Sequence, residues 1–123
     1  MKDNSLKLSE VDLADLARVR QRIDDHPAAK NDHFELAEIT LMGPNRLYLA
    51  FIQLYKVSIA EYRDTKRIEL AKSMLGDQNQ TLPAIAEKCG YPSEESLRNA
   101  FKKVYGRPLQ VFAPARDGKS KRI

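Results

Sequence analysis

The chain has 123 residues and a formal net charge of +4, enough for one domain or two small subdomains sharing an element and too few for a large enclosed pocket. One cysteine, Cys89, and two histidines, His26 and His33, exclude an intrachain disulfide and argue against a Cys/His zinc centre. No stretch has the apolar length of a signal peptide or a membrane span, so a cytoplasmic location without a membrane partner is expected.

Charge is unevenly placed. Residues 1 to 57 carry eight Lys/Arg against nine Asp/Glu, and residues 58 to 123 carry thirteen against eight. A polyanionic partner is therefore expected to meet the second half of the chain more readily than the first.

The breaks and periodicities predict an all-α chain. Ser9, with Asp12 in the first turn, caps a helix running to about Asp25, whose expected apolar face holds Leu13, Leu16, Ala17, Arg20 and Ile23. After the connector His26 to Asn31, Asp32 and Glu35 begin a short helix to about Thr40. Gly43 and Pro44 stop and restart the chain, and the next helix spans about Pro44 to Leu54, with Leu47 and Phe51 at the i,i+4 spacing of a buried stripe. Ser58 and Glu61 make a capping box for a helix ending near Leu75 and Gly76, about 27 Å long at about 1.5 Å per residue. A polar loop, Asp77 to Thr81, leads to a short helix marked by Leu82, Ile85 and Ala86 and ended by Gly90. Ser93 to Tyr105 forms the following helix, with Leu97, Phe101 and Val104 on its packing side. A last short helix from about Pro108 to Ala113 precedes a polar tail.

The two short-helix pairs align with each other. Ala37 corresponds to Ala86, Leu47 to Leu97 and Phe51 to Phe101 once the first turn is allowed to be one residue shorter, which suggests two related helix-turn-helix units.

The run Leu82, Ile85, Ala86, Gly90, Tyr91, Leu97, Phe101, Lys102, Lys103, Gly106 and Pro108 closely resembles the C-terminal helix-turn-helix of the arabinose-regulator (AraC/XylS) family of bacterial transcription regulators. Tyr62, Arg67, Ile68, Ala71 and Leu75 are similar to that family's linker helix. Leu36, Ala37, Met42, Leu47 and Phe51 are similar to its first helix-turn-helix. The resemblance implies about seven helices in two homeodomain-like helix-turn-helix subdomains joined by a long linker helix. The corresponding segments are an arm at 1–8, a first subdomain at 9–57, the linker at 58–76, a second subdomain at 77–113 and a basic tail at 114–123. It implies sequence-specific binding of double-stranded DNA in transcription regulation, with recognition helices near 44–54 and 93–105 in successive major-groove segments.

The same resemblance places base contacts on Asn45, Tyr48 and Leu49 in the first unit and on Glu94, Glu95, Ser96 and Asn99 in the second. Arg46 and Arg98 lie beside them as further base-contact candidates. Asn pairs with adenine at two points, Glu accepts from the cytosine amine, and Leu offers only apolar contact to a thymine methyl. Glu94 and Glu95 also suit the positive start of a helix. Lys88, Lys102, Lys103 and Arg107 form a basic border for phosphates. Four positions depart from the family pattern: His33 stands for an apolar core residue, Leu41 for a turn glycine, Gly43 for a capping serine and Lys56 for the glycine after the first recognition helix.

RNA polymerase is a further partner the family implies. Many members add an N-terminal sensing or dimerisation domain; the residues before Ser9 are too few for one, so such a domain is expected only if this sequence is a fragment of a longer chain. No base–nucleophile pair or cofactor loop is present, so neither enzyme activity nor a cofactor is expected. Cys89, beside the turn glycine, is expected to be a small packing residue. The competing reading is a degenerate helix-turn-helix module that uses Tyr48, Leu49, Ile52 and Leu54 for protein interaction or homodimerisation.

Overall fold

The computed structural model describes residues 5–77 and 79–112. Ala113 and the expected basic tail lie outside the described residues. The elements are α1 (Glu10–Asp25), α2 (His33–Ala37), α3 (Pro44–Tyr55), α4 (Ile59–Met74), α5 (Leu82–Lys88), α6 (Glu94–Tyr105) and a 3-10 turn, Leu109–Phe112. The described residues contain no strand. Two compact units divide at Arg63 and Asp64, within α4.

Local chemistry sets the helix starts. Ser9 Oγ accepts from Asp12 N at 3.1 Å while the Asp12 carboxylate accepts from Ser9 N at 3.0 Å. Ser58 and Glu61 repeat the exchange at 3.0 and 2.9 Å. Each such cap satisfies helix-end donors that would otherwise need water, and is worth about 1 kcal/mol. At α2, Asp32 accepts from Glu35 N as expected, but Glu35 reaches back to Asn31 N, one residue before the cap. Asn31 is buried with φ 50°, a left-handed conformation that Asn tolerates, and its side-chain amide donates to the His26 carbonyl.

Two expectations need correction. The buried face of α1 is Asp15, Leu16, Val19 and Ile23, whereas Leu13 and Ala17 are exposed. The helix is rotated so that the Asp15 carboxylate accepts from Leu41 N at 2.9 Å and from Arg18 at 2.6 Å. Arg20 is exposed, and its guanidinium lies over the rings of Tyr55 and Tyr62. The second correction concerns α2, which stops at Ala37 rather than near Thr40. There Ile39 N and Thr40 N bond to carbonyls three residues back, and Thr40 Oγ1 donates to the Ala37 carbonyl, so the chain tightens into a turn.

Each unit has its own core. Leu16, Val19, Ile23, Leu36, Leu47, Phe51 and Ile59 belong to the first. Ile68, Ala71, Leu75, Ile85, Leu97, Phe101 and Leu109 belong to the second. Within the helices the apolar spacing is the same in both, three then four residues on α1 and α4 and four on α3 and α6, whereas the connecting segments differ in length. Phe51 and Phe101 are each fully buried. Phe51 meets Tyr55 at 4.7 Å and Tyr62 at 5.9 Å between ring centroids. Phe101 meets Tyr105 at 5.0 Å and Phe112 at 5.1 Å. Both α3 and α6 have 12 residues and end on left-handed caps, Lys56 at φ 69° and Gly106 at φ 73°. The repeat visible in the two helix pairs thus extends to the preceding helices and to the segments that close each core.

Three of the departures from the family pattern acquire a local explanation. Leu41 is 86% exposed and has no positive φ. The backbone at Leu41 does not adopt the left-handed conformation that Gly90 takes at φ 93°, so this turn does not require a glycine there. Gly43 supplies no side-chain cap, and Pro44 follows at the first helical position. His33 is half-buried, its ring 4.2 Å from Phe34 and 5.3 Å from Tyr48. Lys56 remains costly, because a side chain in the left-handed region meets its own backbone. Lys56→Gly should raise the stability of the first unit by about 1 kcal/mol in urea denaturation. An unchanged or lower midpoint would show that the Lys56 conformation carries no strain.

Candidate nucleic-acid interface

In the second unit, Leu97 and Phe101 turn one side of α6 inward and fix which residues face out. Glu95 and Asn99 are exposed one turn apart, followed by Lys102 and Lys103, and Arg107 is exposed just past the helix. None of these five side chains is tied to another described residue by a hydrogen bond or ion pair. Glu94 accepts from Arg98, with Nε to Oε2 and Nη2 to Oε2 distances of 2.9 Å. Ser96 is half-buried and its Oγ lies 3.1 Å from Ser93 Oγ, inside the cap. Lys88 is exposed, with Nζ 2.8 Å from Gln80 Oε1. Sequence reading missed Lys72, whose ammonium lies 5.2 Å from the ring centres of both Tyr105 and Phe112.

The first unit presents different chemistry on the matching helix. Asn45, Tyr48 and Leu49 are exposed, Ile52 is half-buried, and Ile52 and Gln53 occupy the places that Lys102 and Lys103 hold on α6. Arg46 is half-buried and turned away from that face. Its Nη2 donates to the Lys7 carbonyl at 3.0 Å and to Asp12 Oδ2 at 2.9 Å. The bond from Ser9 N and the Arg46 contact hold the Asp12 carboxyl below its usual range. Gln53 is a second contact that sequence reading missed. Its amide accepts from Leu6 N at 2.7 Å and donates to the Leu6 carbonyl at 2.8 Å, strapping the segment before α1 onto α3. No sequence signal marks either pairing, because the partners lie more than thirty residues apart.

Cys89 is fully buried, and burial pushes its thiol up to about 11, which keeps it protonated and unreactive near neutral pH. Among the described residues no group of three His, Cys, Asp or Glu could hold a metal ion. No helix among them is long and apolar enough to cross a membrane.

A family model described as a helix-turn-helix domain matches residues 36–114. The chain belongs to this helix-turn-helix domain family and resembles the DNA-binding domains of AraC/XylS-type regulators. It is 38% identical over 74 residues to a putative AraC-like transcription regulator of Streptomyces lividans, covering 60% of this chain and 24% of that protein. It is 29% identical over 93 residues to the arabinose operon regulatory protein of Escherichia coli strain K12, covering 75% of this chain and 32% of that one. The chain therefore spans about a quarter to a third of these two relatives.

The fold is shared with the C-terminal domain of AraT, a response regulator from Geobacillus stearothermophilus, at a TM-score of 0.74 and 24% identity, over 89% of this chain and 88% of that one. It is shared also with the DNA-binding domain of AdpA, solved in complex with a target DNA, at a TM-score of 0.70 and 23% identity, over 87% and 94% of the two chains. The Streptomyces lividans and Escherichia coli relatives are both described as regulators.

The Asp12–Arg46 pair can be tested directly. Arg46→Ala should move the Asp12 pKa up toward 3.8 in a carboxyl NMR titration. With Arg46 in place, the folded pKa lies below the unfolded one, so the pair stabilises the fold above pH 3.8 and this contribution fades as pH falls through the folded value. An Asp12 titration unaltered by Arg46→Ala would place the guanidinium elsewhere in solution.

Proposed function

We propose that the chain binds double-stranded DNA sequence-specifically in transcription regulation, with α6 as the stronger recognition helix and α3 as the second. In this reading the segments 9–57 and 77–113 are homeodomain-like helix-turn-helix subdomains, and α4 with its cap is the linker at 58–76, giving Ile59 to the first core and Ile68, Ala71 and Leu75 to the second. The observation that carries it is the outward stripe of α6, where Glu95 and Asn99 lead into Lys102, Lys103 and Arg107. Groups able to read base edges are continuous there with cations able to hold phosphates.

Asn99 pairs with adenine, Glu95 accepts from a cytosine amine, and Arg98, oriented by Glu94, donates to guanine. Ser96 stays with the cap and Glu94 with Arg98, so both support the reading face from behind. Lys88, Lys102, Lys103 and Arg107 grip the backbone. On α3, Asn45, Tyr48 and Leu49 face the bases, and Arg46 positions the helix through Asp12. That the two helices occupy successive groove segments rests on the family resemblance, and RNA polymerase is the protein partner such a regulator would meet.

Selection from a randomised duplex pool should enrich a two-part site, and Asn99→Ala should weaken binding to it by about 1–3 kcal/mol while relaxing preference at one position. Lys102→Ala should instead weaken all duplexes alike and lower the salt dependence by about one charge. Equal binding of all duplexes at raised salt would overturn the proposal.

A further inference from the structure

We infer that α3 reads thymine methyl groups, with Leu49 as the specificity-determining residue, so that the part of the site facing the first unit is rich in A·T pairs. The inference rests on the DNA-binding reading above and deepens it. It begins from what α3 lacks. The one guanidinium on the helix, Arg46, is committed to Asp12 and the Lys7 carbonyl, and Gln53 is committed to both backbone groups of Leu6. The two long polar side chains that could form two-point bonds to guanine or adenine are therefore turned toward the protein.

What faces out at i, i+3 and i+4 is Asn45, Tyr48 at 40% exposure and Leu49 at 54%. His33 backs the Tyr48 ring at 5.3 Å and limits its freedom. This face has one group for an adenine edge and an apolar body beside it. In the major groove only thymine presents a methyl group, so an apolar side chain there distinguishes A·T from G·C by burial rather than by hydrogen bonds. The slightly acidic balance of residues 1 to 57 fits the same division of labour, since that half adds little phosphate attraction. Continuity of this face with Asn45, on the helix that corresponds to α6, favours duplex DNA over a protein as its occupant.

The test uses the duplex enriched from the randomised pool, remade with deoxyuridine replacing thymidine at one position at a time. With the full chain, uracil at one or more positions in one part of the site should weaken binding about fourfold, the effect of leaving one methyl group unburied. Leu49→Ala should remove that sensitivity and leave base preferences in the other part unchanged. Leu49 is exposed, and a thermal melt followed by circular dichroism checks that the variant stays folded.

Uracil tolerated at every position, sensitivity that persists in Leu49→Ala, or an enriched site without A·T pairs in either part would each overturn the inference while leaving DNA binding intact. A Leu49→Ala variant with unaltered DNA behaviour but reduced self-association in sedimentation would assign the face to a second copy of the chain and also overturn it. If no duplex is enriched at all, the DNA-binding reading fails and the inference falls with it.

Discussion

Burial of one phenylalanine per unit fixes nearly everything else about this molecule. Phe51 and Phe101 are each fully buried, one turn after a buried leucine and one turn before a tyrosine that packs on the ring. A helix pinned at two positions one turn apart cannot rotate without moving a large apolar side chain into water, at a cost of several kcal/mol. The outward residues of α3 and α6 follow from that phase. Any surface chemistry at 45, 48 and 49 or at 95, 98 and 99 is presented by geometry that the core sets.

On this shared plan the two units have diverged in how they use polar groups. The second leaves its cations outward, whereas the first draws Arg46 and Gln53 inward to hold the segment before α1. Buried polar residues differ too. Asp15 serves the turn after α2 by accepting from Leu41 N, while Arg67 lies over Tyr91 at 5.2 Å. The left-handed cap after α3 carries Lys56 and that after α6 carries Gly106. The first unit thus bears more backbone strain and less outward charge, consistent with a role resting on shape and apolar contact.

Legibility in the sequence followed the range of the interaction. Capping pairs such as Ser9 with Asp12 and Ser58 with Glu61 act over three residues and could be read directly. The Leu47–Phe51 and Leu97–Phe101 pairs were equally plain because four-residue spacing is a property of one helix. The face of α1 was misjudged because Asp15, a carboxylate, is drawn inward by Leu41 N, 26 residues away. Hydropathy alone assigns an acid to the surface, and only the turn it serves explains its burial. The end of α2 was overrun for a similar reason, since Thr40 prefers to bond the Ala37 carbonyl. At the candidate interface the outward positions were legible from helix phase. The commitment of Arg46 to Asp12 was not, as the pair spans 34 residues.

The central claim is that the side of α6 opposite Phe101 enters a major groove. Chemical interference on the enriched duplex tests it most directly, because dimethyl sulfate marks guanine N7 in the major groove and adenine N3 in the minor groove. Interference at guanine N7 over a contiguous stretch, weakened in Arg98→Ala and unchanged in its minor-groove pattern, is the result expected. Interference confined to adenine N3, or absent from both grooves while binding persists, would contradict a major-groove helix.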